Sequence, residues 1–298
     1  MLLANVVVPS IGFGIVTASI LALAAVGFTL QFGVTNILNL AFGDVMTASA
    51  FVGYYVNQAG GDIAESILAA AVFGAVASWA LNRCVFTPFV RRGTKLFGMV
   101  IVTLSVGTIV QNVLLGAFGA DFFTFQGGLS TQYHVAGMTF STLQLVIIAI
   151  GVVAMALLQL LLSRTKLGKA MRATSANPAL ARVSGISTDR VVDVAWLLSG
   201  AMCGLAGIVL VLNTTTFEST TGSSFLVVVI AAAMLGGVGR PAGAMVASVV
   251  IGVAMEVAAT FITPTFKEVI AFGVLILVLL LRPQGLFGQA SSVREVAA

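Results

Sequence analysis

Residues 8–44 read VPSIGFGIVTASILALAAVGFTLQFGVTNILNLAFGD. No Lys, Arg, Asp or Glu precedes Asp44. A helix needs about 20 apolar residues to cross roughly 30 Å of hydrocarbon, so this stretch holds one full membrane span and most of a second. The segment NILNLAFGD (36–44) interrupts it with Asn36, Asn39, Gly43 and Asp44. A charge at the centre of a membrane helix costs roughly 2.5–3.5 kcal/mol, so Asp44 must face a wet cavity, a partner or a helix end. Asn36, Asn39 and Gly43 can break or cap a helix, freeing backbone groups that only a protein-lined or aqueous region tolerates. The expectation is a discontinuous helix near 36–44 beside a translocation path. A plainer reading is compatible with it: Asp44 caps a helix that starts at Val45.

The rest of the chain extends this pattern. Of its 298 residues, 59% are hydrophobic and 8% charged, with a mean hydropathy of +1.12. Soluble domains carry about 25% charged residues. These residues cannot make a charged skin, so lipid must cover much of the molecule and soluble enzyme folds are excluded. Nine apolar runs stand at about 8–30, 34–57, 64–82, 98–118, 142–162, 191–212, 222–238, 242–262 and 266–282. They are continuous and rich in Ala, Leu, Val and Gly, unlike the alternating ten-residue strands of a membrane barrel. The expected fold is an all-α polytopic bundle of about nine spanning or partly spanning helices, a single domain over 1–298. The tail after Phe287 is expected to be disordered. The N-terminus MLLANVVVPS has no basic n-region, so the first run is expected to remain as a helix.

The net charge of +4 reflects orientation rather than nucleic-acid binding. Arg83, Arg91, Arg92 and Lys95 share one loop; Arg164, Lys166, Lys169, Arg172, Arg182 and Arg190 share another. With nine spans these fall on one side together with Arg240, Arg282 and Arg294, and only Lys267 falls on the other. By the positive-inside rule the N-terminus is outside and the C-terminus cytoplasmic. Asp62, Glu65, Asp121 and Glu218 then lie outside, as does 119–141, expected to be a short structured loop. Cys84 and Cys203 fall in a cytoplasmic loop and a span, so no disulfide is expected.

The cytoplasmic loop 163–190 is long. It carries a helical stretch, GKAMRATSANPALARVSG, divided by Pro178. It is either a docking surface for a cytoplasmic partner or a solvated basic loop that orients the protein. It is not a nucleotide-binding P-loop: Ser163 stands where the first glycine belongs, and Ala170 replaces the Ser/Thr after Gly168 and Lys169. LGGVGRPAG (235–243) places Gly236 and Gly237 at a second break. Paired interruptions in two halves of a chain point to a transporter's binding region; the alternative is a tight turn. Gly200-x-x-x-Gly204 permits close helix packing with a neighbour in this chain or another. Glu256 is either a cavity or interface residue or a carboxylate near the outer surface. His134 stands alone, and no His/Cys cluster points to a metal. No catalytic constellation and no cofactor site are expected in this chain.

From about 12 to 288 the chain resembles the LivH-type permease subunits of branched-chain amino-acid ABC importers. The resemblance rests on NLAFGDVMTASAFVGYYV, GKAMRATSANPALARVSGISTDRV, SGAMCGLAGIVL, GGVGRPAGAMVASVVIGVAMEVA and LILVLLLRPQGLFG. Phe42 stands where such chains often carry His, which removes a polar contact there. The resemblance implies a heteromeric importer: a paralogous LivM-type permease, two cytoplasmic ABC ATPases that hydrolyse ATP, and an extracytoplasmic solute-binding protein. The two interruptions put the expected translocation path at Asn36, Asn39, Gly43, Asp44, Gly236 and Gly237. The ATPase-coupling element would comprise Gly168, Lys169, Arg172, Ala173, Asn177, Pro178, Ala181 and Gly185. Leu, Ile and Val are the expected solutes. Urea or small carboxylates in a related permease, and a stand-alone secondary transporter or channel, are the alternatives.

Overall fold

The computed structural model describes residues 2–125, 131–135, 138–263, 266–282 and 285–287. The chain is a helical bundle with two small two-stranded sheets at one end. The helices are α1 (Leu2–Thr35), α2 (Phe42–Gln58), α3 (Ile63–Leu81), α4 (Thr87–Arg91), α5 (Leu96–Phe118), α6 (Thr142–Arg164), α7 (Lys166–Ala176), α8 (Pro178–Val183), α9 (Thr188–Thr214), α10 (Thr221–Gly236), α11 (Pro241–Phe261) and α12 (Lys267–Leu281). A π-helical turn, Asn82–Phe86, joins α3 to α4. The strands are β1 (Phe123–Thr124), β2 (Gln132–Val135), β3 (Met138–Ser141) and β4 (Thr216–Phe217); β1 pairs with β4 and β2 with β3, both antiparallel.

Each of the nine apolar runs holds a helix. Six are long and apolar enough to cross a membrane. The other three, α2, α10 and α12, have only 17, 16 and 15 residues. For α2 and α10 the reason is a backbone break. α1 ends at Thr35 and Asn36 turns left-handed, φ 54°; α9 ends at Thr214 and Thr215 does the same, φ 61°. The third residue after each break region matches as well: Asn36 and Thr215, Gly43 and Gly222, and Asp44 and Ser223 share one spacing of 179 residues.

The chain is thus two like triads, α1–α2–α3 and α9–α10–α11, with α1 and α9 running in opposite directions through the centre. Each long helix packs most extensively on the third helix of the other triad, α1 on α11 and α9 on α3. In its most apolar stretch 78% of α1 and 72% of α9 is buried inside the protein, against 17% of α6, which leaves α6 on the outside of the bundle. The Gly200–Gly204 pair meets α3 of the same chain: a Cβ on Gly204 would lie 2.1 Å from the Ala70 carbonyl, and one on Gly200 would lie 2.3 Å from that of Gly74. Glycine lets the two backbones touch, which is how membrane helices gain packing without a hydrophobic drive between them.

The two ends of the bundle differ. One holds the Arg- and Lys-rich segments; there Asp189 and Asp193 on α9 pair with Arg91 at 3.5 Å and Arg83 at 3.3 Å. The other holds an aromatic cluster in which Phe51 stacks on Phe118 (4.6 Å) and meets Phe217 edge-on (4.9 Å), with Tyr54 against Phe123 (5.6 Å). It fastens the far end of α2 to α5, β1 and β4. Loop 119–141 is partly ordered into strands as expected; the expectation for the tail beyond Phe287 lies outside the described residues.

Candidate functional site

The break after α1 is a folded structure. Residues 36–41 return from the basic end to the middle of the bundle, and α2 starts there. Depth is set by contacts: a Cβ on Gly107, midway along α5, would lie 2.5 Å from Asp44 Oδ2, and Cys203, near the middle of α9, donates its thiol to the Phe42 carbonyl at 3.3 Å. The freed backbone groups find partners within the protein. Asn39, 2% exposed, accepts the Ala41 amide on its side chain at 3.1 Å, and Thr103 donates to the Leu38 carbonyl at 3.0 Å. This is the condition under which non-helical backbone survives at membrane depth.

α2 begins at Phe42, so Asp44 is not the cap of a helix starting at Val45 but lies within the first turn. The capping position is Ala41, which has no capping oxygen. Asp44 instead supplies the negative charge a helix start favours. The first turns of α2 and α10 overlap here, antiparallel. A Cβ on Gly43 would lie 2.5 Å from the Gly222 carbonyl, and one on Gly222 would lie 2.2 Å from that of Gly43. The Gly222 amide donates to Thr47 Oγ1 at 2.9 Å, Thr47 donates to the Gly43 carbonyl at 3.1 Å, and Ser223 donates its hydroxyl to Asp44 Oδ1. One carboxylate, 5% exposed, therefore sits where two helix N-termini, each of partial positive charge, meet. That removes much of the cost of holding it in the bundle.

Gly236 and Gly237 are not part of this arrangement. They lie at the other end of α10, about 20 Å away by helix rise. Gly236 abuts Gly243 and Ala244, and Gly237 (φ 94°) and Gly239 (φ 83°) form a tight turn into α11. The counterpart of the first break is the approach to α10, residues 215–220. Ser223, Gly222, Thr47 and Gly107 escaped the sequence reading. The 179-residue spacing pairs unlike residues at Asn36/Thr215 and Asp44/Ser223 and so left no sequence signal for the first two; nothing in apolar α5 marks Gly107.

The basic loop folds as two short helices. Thr165 caps α7 by accepting the Gly168 amide at 3.1 Å. Asn177 caps α8 by accepting the Leu180 amide at 3.0 Å, with Pro178 in its first turn. Lys169, Arg172, Asn177, Pro178 and Gly185 are exposed and Ala173 is half-buried. Gly168 and Ala181 face inward instead: a Cβ on Gly168 would meet the Leu162 carbonyl, and Ala181 is 3% exposed. Leu180 and Val183, 64% and 87% exposed, complete the outer face of α8. The element is tied to both central helices: Ser175 donates to the Gly33 carbonyl, and Arg182 Nε to Thr188 Oγ1 at 2.7 Å.

At the aromatic end Glu256 has a definite partner. Lys267, the single basic residue assigned to that side, reaches it at 2.7 Å, and Thr17 donates to it at 2.9 Å, joining α11, α12 and α1. Among the described residues no cluster of three or more His, Cys, Asp or Glu could hold a metal ion.

The model of the branched-chain amino acid transport system permease component matches residues 10–279, from the first turns of α1 into α12. The chain belongs to that family. A high-affinity branched-chain amino acid permease, LivH of Salmonella typhimurium, is 28% identical over 290 residues, 93% of this chain and 94% of its own. BraD, the corresponding permease of Pseudomonas aeruginosa, is 26% identical at the same coverage. Among solved structures PsaBC from Streptococcus pneumoniae, in complex with Fab, is similar in fold, with a TM-score of 0.52 at 14% identity over 91% of each chain.

Proposed function

We propose that this chain is one permease subunit of an ABC importer for branched-chain amino acids, forming half of the path with a sister permease. The observation that carries this is the family match, which runs through both triads and both breaks. Two cytoplasmic ATPases would hydrolyse ATP and an extracytoplasmic binding protein would deliver the solute. The exposed faces of α7 and α8, with Lys169, Asn177, Pro178, Leu180 and Val183, would seat in an ATPase groove. That places the N-terminus outside and the C-terminus in the cytoplasm.

The mechanical argument follows the contacts. α7 holds the end of α1 through Ser175 and Gly33, two residues before the break begins at Thr35 and Asn36. α8 holds the start of α9 through Arg182. A displacement of α7 and α8 driven by ATPase closure would move both central helices along their axes and load the junction of α2 and α10 at Asn39, Gly43 and Asp44. Gly236 and Gly237, at the end of α10, would act as the turn about which α10 swings rather than as path-lining residues.

The test is uptake of labelled leucine, isoleucine, valine, urea and acetate in cells whose own branched-chain importers are deleted. The chain is expressed with its sister permease, ATPases and binding protein. Saturable uptake of the three amino acids that stops without the ATPases supports the reading. Uptake by this chain alone, driven by an ion gradient, overturns it in favour of a secondary transporter, and uptake of urea or acetate alone overturns the solute class.

A further inference from the structure

We propose that a cavity at the basic end of the bundle binds the phosphate-bearing head group of an acidic phospholipid. The cavity has a volume of about 620 Å³ and lies between the end of α1, the end of α6, α7 and the turn into α11. Two cations line it, Arg172 from α7 and Arg240 from the turn before α11. Among the described residues no acidic side chain lines it. Arg172 donates to the Leu162 carbonyl and Arg240 to the Phe287 carbonyl, and neither takes part in an ion pair among the described residues. A guanidinium has five N–H donors in a fork that matches phosphate geometry, so most of this donor capacity is unspent. Two guanidiniums sharing one cavity with no counter-ion among the described residues call for an anion.

The remaining lining says which kind. Leu30, Val34, Leu162 and Met171 are apolar and stand beside the polar Gln159, Ser163 and Ser175, a mixed lining that suits a head group with its acyl chains better than a free ion. Gln159, Leu162 and Ser163 bring the end of α6 into the lining, and α6 is the least buried of the long helices. On α11 the residues above Ala242 on the same face, at helical spacing, are Val246, Val249 and Val250, exposed by 44%, 51% and 42%. They form an apolar ladder leading from the two arginines towards the bundle's middle. Basic cavities between membrane helices on the cytoplasmic side are known to take anionic head groups. Because Arg172 belongs to α7 and Arg240 follows α10, a bound lipid would bridge the coupling element and the swinging helix. The inference needs only a membrane around the bundle and does not depend on the solute carried.

The test is native mass spectrometry of the full-length chain extracted in mild detergent and titrated with phosphatidylglycerol or phosphatidylethanolamine. The wild type is expected to retain phosphatidylglycerol at concentrations at least about tenfold lower than phosphatidylethanolamine, since each basic residue near the surface strengthens attraction to anionic lipid several-fold. The double variant Arg172→Gln/Arg240→Gln should lose that preference. Arg172→Lys/Arg240→Lys should keep most of it, and Arg92→Gln/Lys95→Gln, outside the cavity, should keep all of it, which separates lost binding from a misfolded protein. Equal retention of the two lipids by the wild type overturns the proposal, as does an unchanged preference in the Gln variant. Loss of ATPase co-purification in that variant with the lipid preference intact would assign the arginines to the ATPase instead. Displacement of the lipid by inorganic phosphate would make the site one for a free anion. A preference that emerges only after removal of residues 288–298 would make the chain's own tail the occupant.

Discussion

Asp44 and Ser223 stand at equivalent places in two inverted halves, and they are bonded to each other. One side chain carries the charge and the other the donor, so the pair holds two helix starts together with one hydrogen bond of the charge-assisted kind, worth about 1.5–3 kcal/mol. Replacing Asp44 with Leu leaves the Ser223 hydroxyl and two helix N-termini without their acceptor. Leucine uptake by Asp44→Leu is expected to fall at least tenfold while Asp121→Leu, in the exposed stretch after α5, stays near wild type; normal uptake by both would remove Asp44 from the mechanism. Asp44→Asn keeps a hydrogen-bond acceptor and loses the charge, so its uptake should lie between the two. Gly204 tests packing at the same scale. Its missing Cβ would lie 2.1 Å from the Ala70 carbonyl, so Gly204→Val must push α3 and α9 apart. Overpacking of this kind costs about 1–3 kcal/mol, and a thermal-unfolding scan in detergent should show a lower midpoint than Gly116→Val, where a Cβ meets open space.

At the scale of elements, α8 offers the clearest test. Its inner face is Ala181 and its outer face carries Leu180 and Val183. If that face seats in an ATPase, Leu180→Glu/Val183→Glu should abolish co-purification of the ATPases while leaving membrane insertion intact. Ala173→Trp, on the half-buried side of α7, should lower transport with the ATPases still partly bound or hydrolysing without uptake. Normal transport by both variants would reduce the loop to a basic segment that orients the chain. The Glu256–Lys267 pair is a second element-scale joint. Its side chains are 15% and 33% exposed, so its contribution is discounted to about 1 kcal/mol. A double-mutant cycle of Glu256→Gln and Lys267→Met, read by unfolding in detergent, should give a coupling of that order and a looser α12.

For the whole molecule the prediction is orientation. The two ends of the bundle differ in charge, and the basic end is expected to be cytoplasmic. Ser184 is the better labelling site on it, since Ser175 is already engaged with Gly33. In a background with Cys84 and Cys203 replaced, Ser184→Cys should resist a membrane-impermeant maleimide in intact cells and react after permeabilisation. Asp121→Cys should react in both. The reverse pattern would invert the topology.

The amino-acid sequence by itself determined that the protein is a bundle of membrane helices, roughly where those helices lie, and that the backbone is interrupted near residues 36–44; the interruption is 36–41, and Gly43 and Asp44 already belong to α2. Those properties are local: a run of some twenty apolar residues has no other stable state in lipid, and Asn36 and Asn39 offer the chain a turn within it. The two-piece form of the basic loop was legible for the same reason, because Asn177 before Pro178 caps and starts a helix wherever it occurs. Family membership, too, was legible in linear motifs. Only the tertiary structure decided what the break faces. The partners of Asp44 are 179 residues away in Ser223 and on another helix at Gly107, and no pattern within one window can pair residues across such a distance. That is also why Gly236 and Gly237, which end α10 and lead into a tight turn, read as the second break, whereas the counterpart of the first lies at Thr215, a residue with no bias towards positive φ. Thr215 is exposed, and its carbonyl accepts the Phe125 amide at 2.9 Å, a contact that exists only in the assembled bundle.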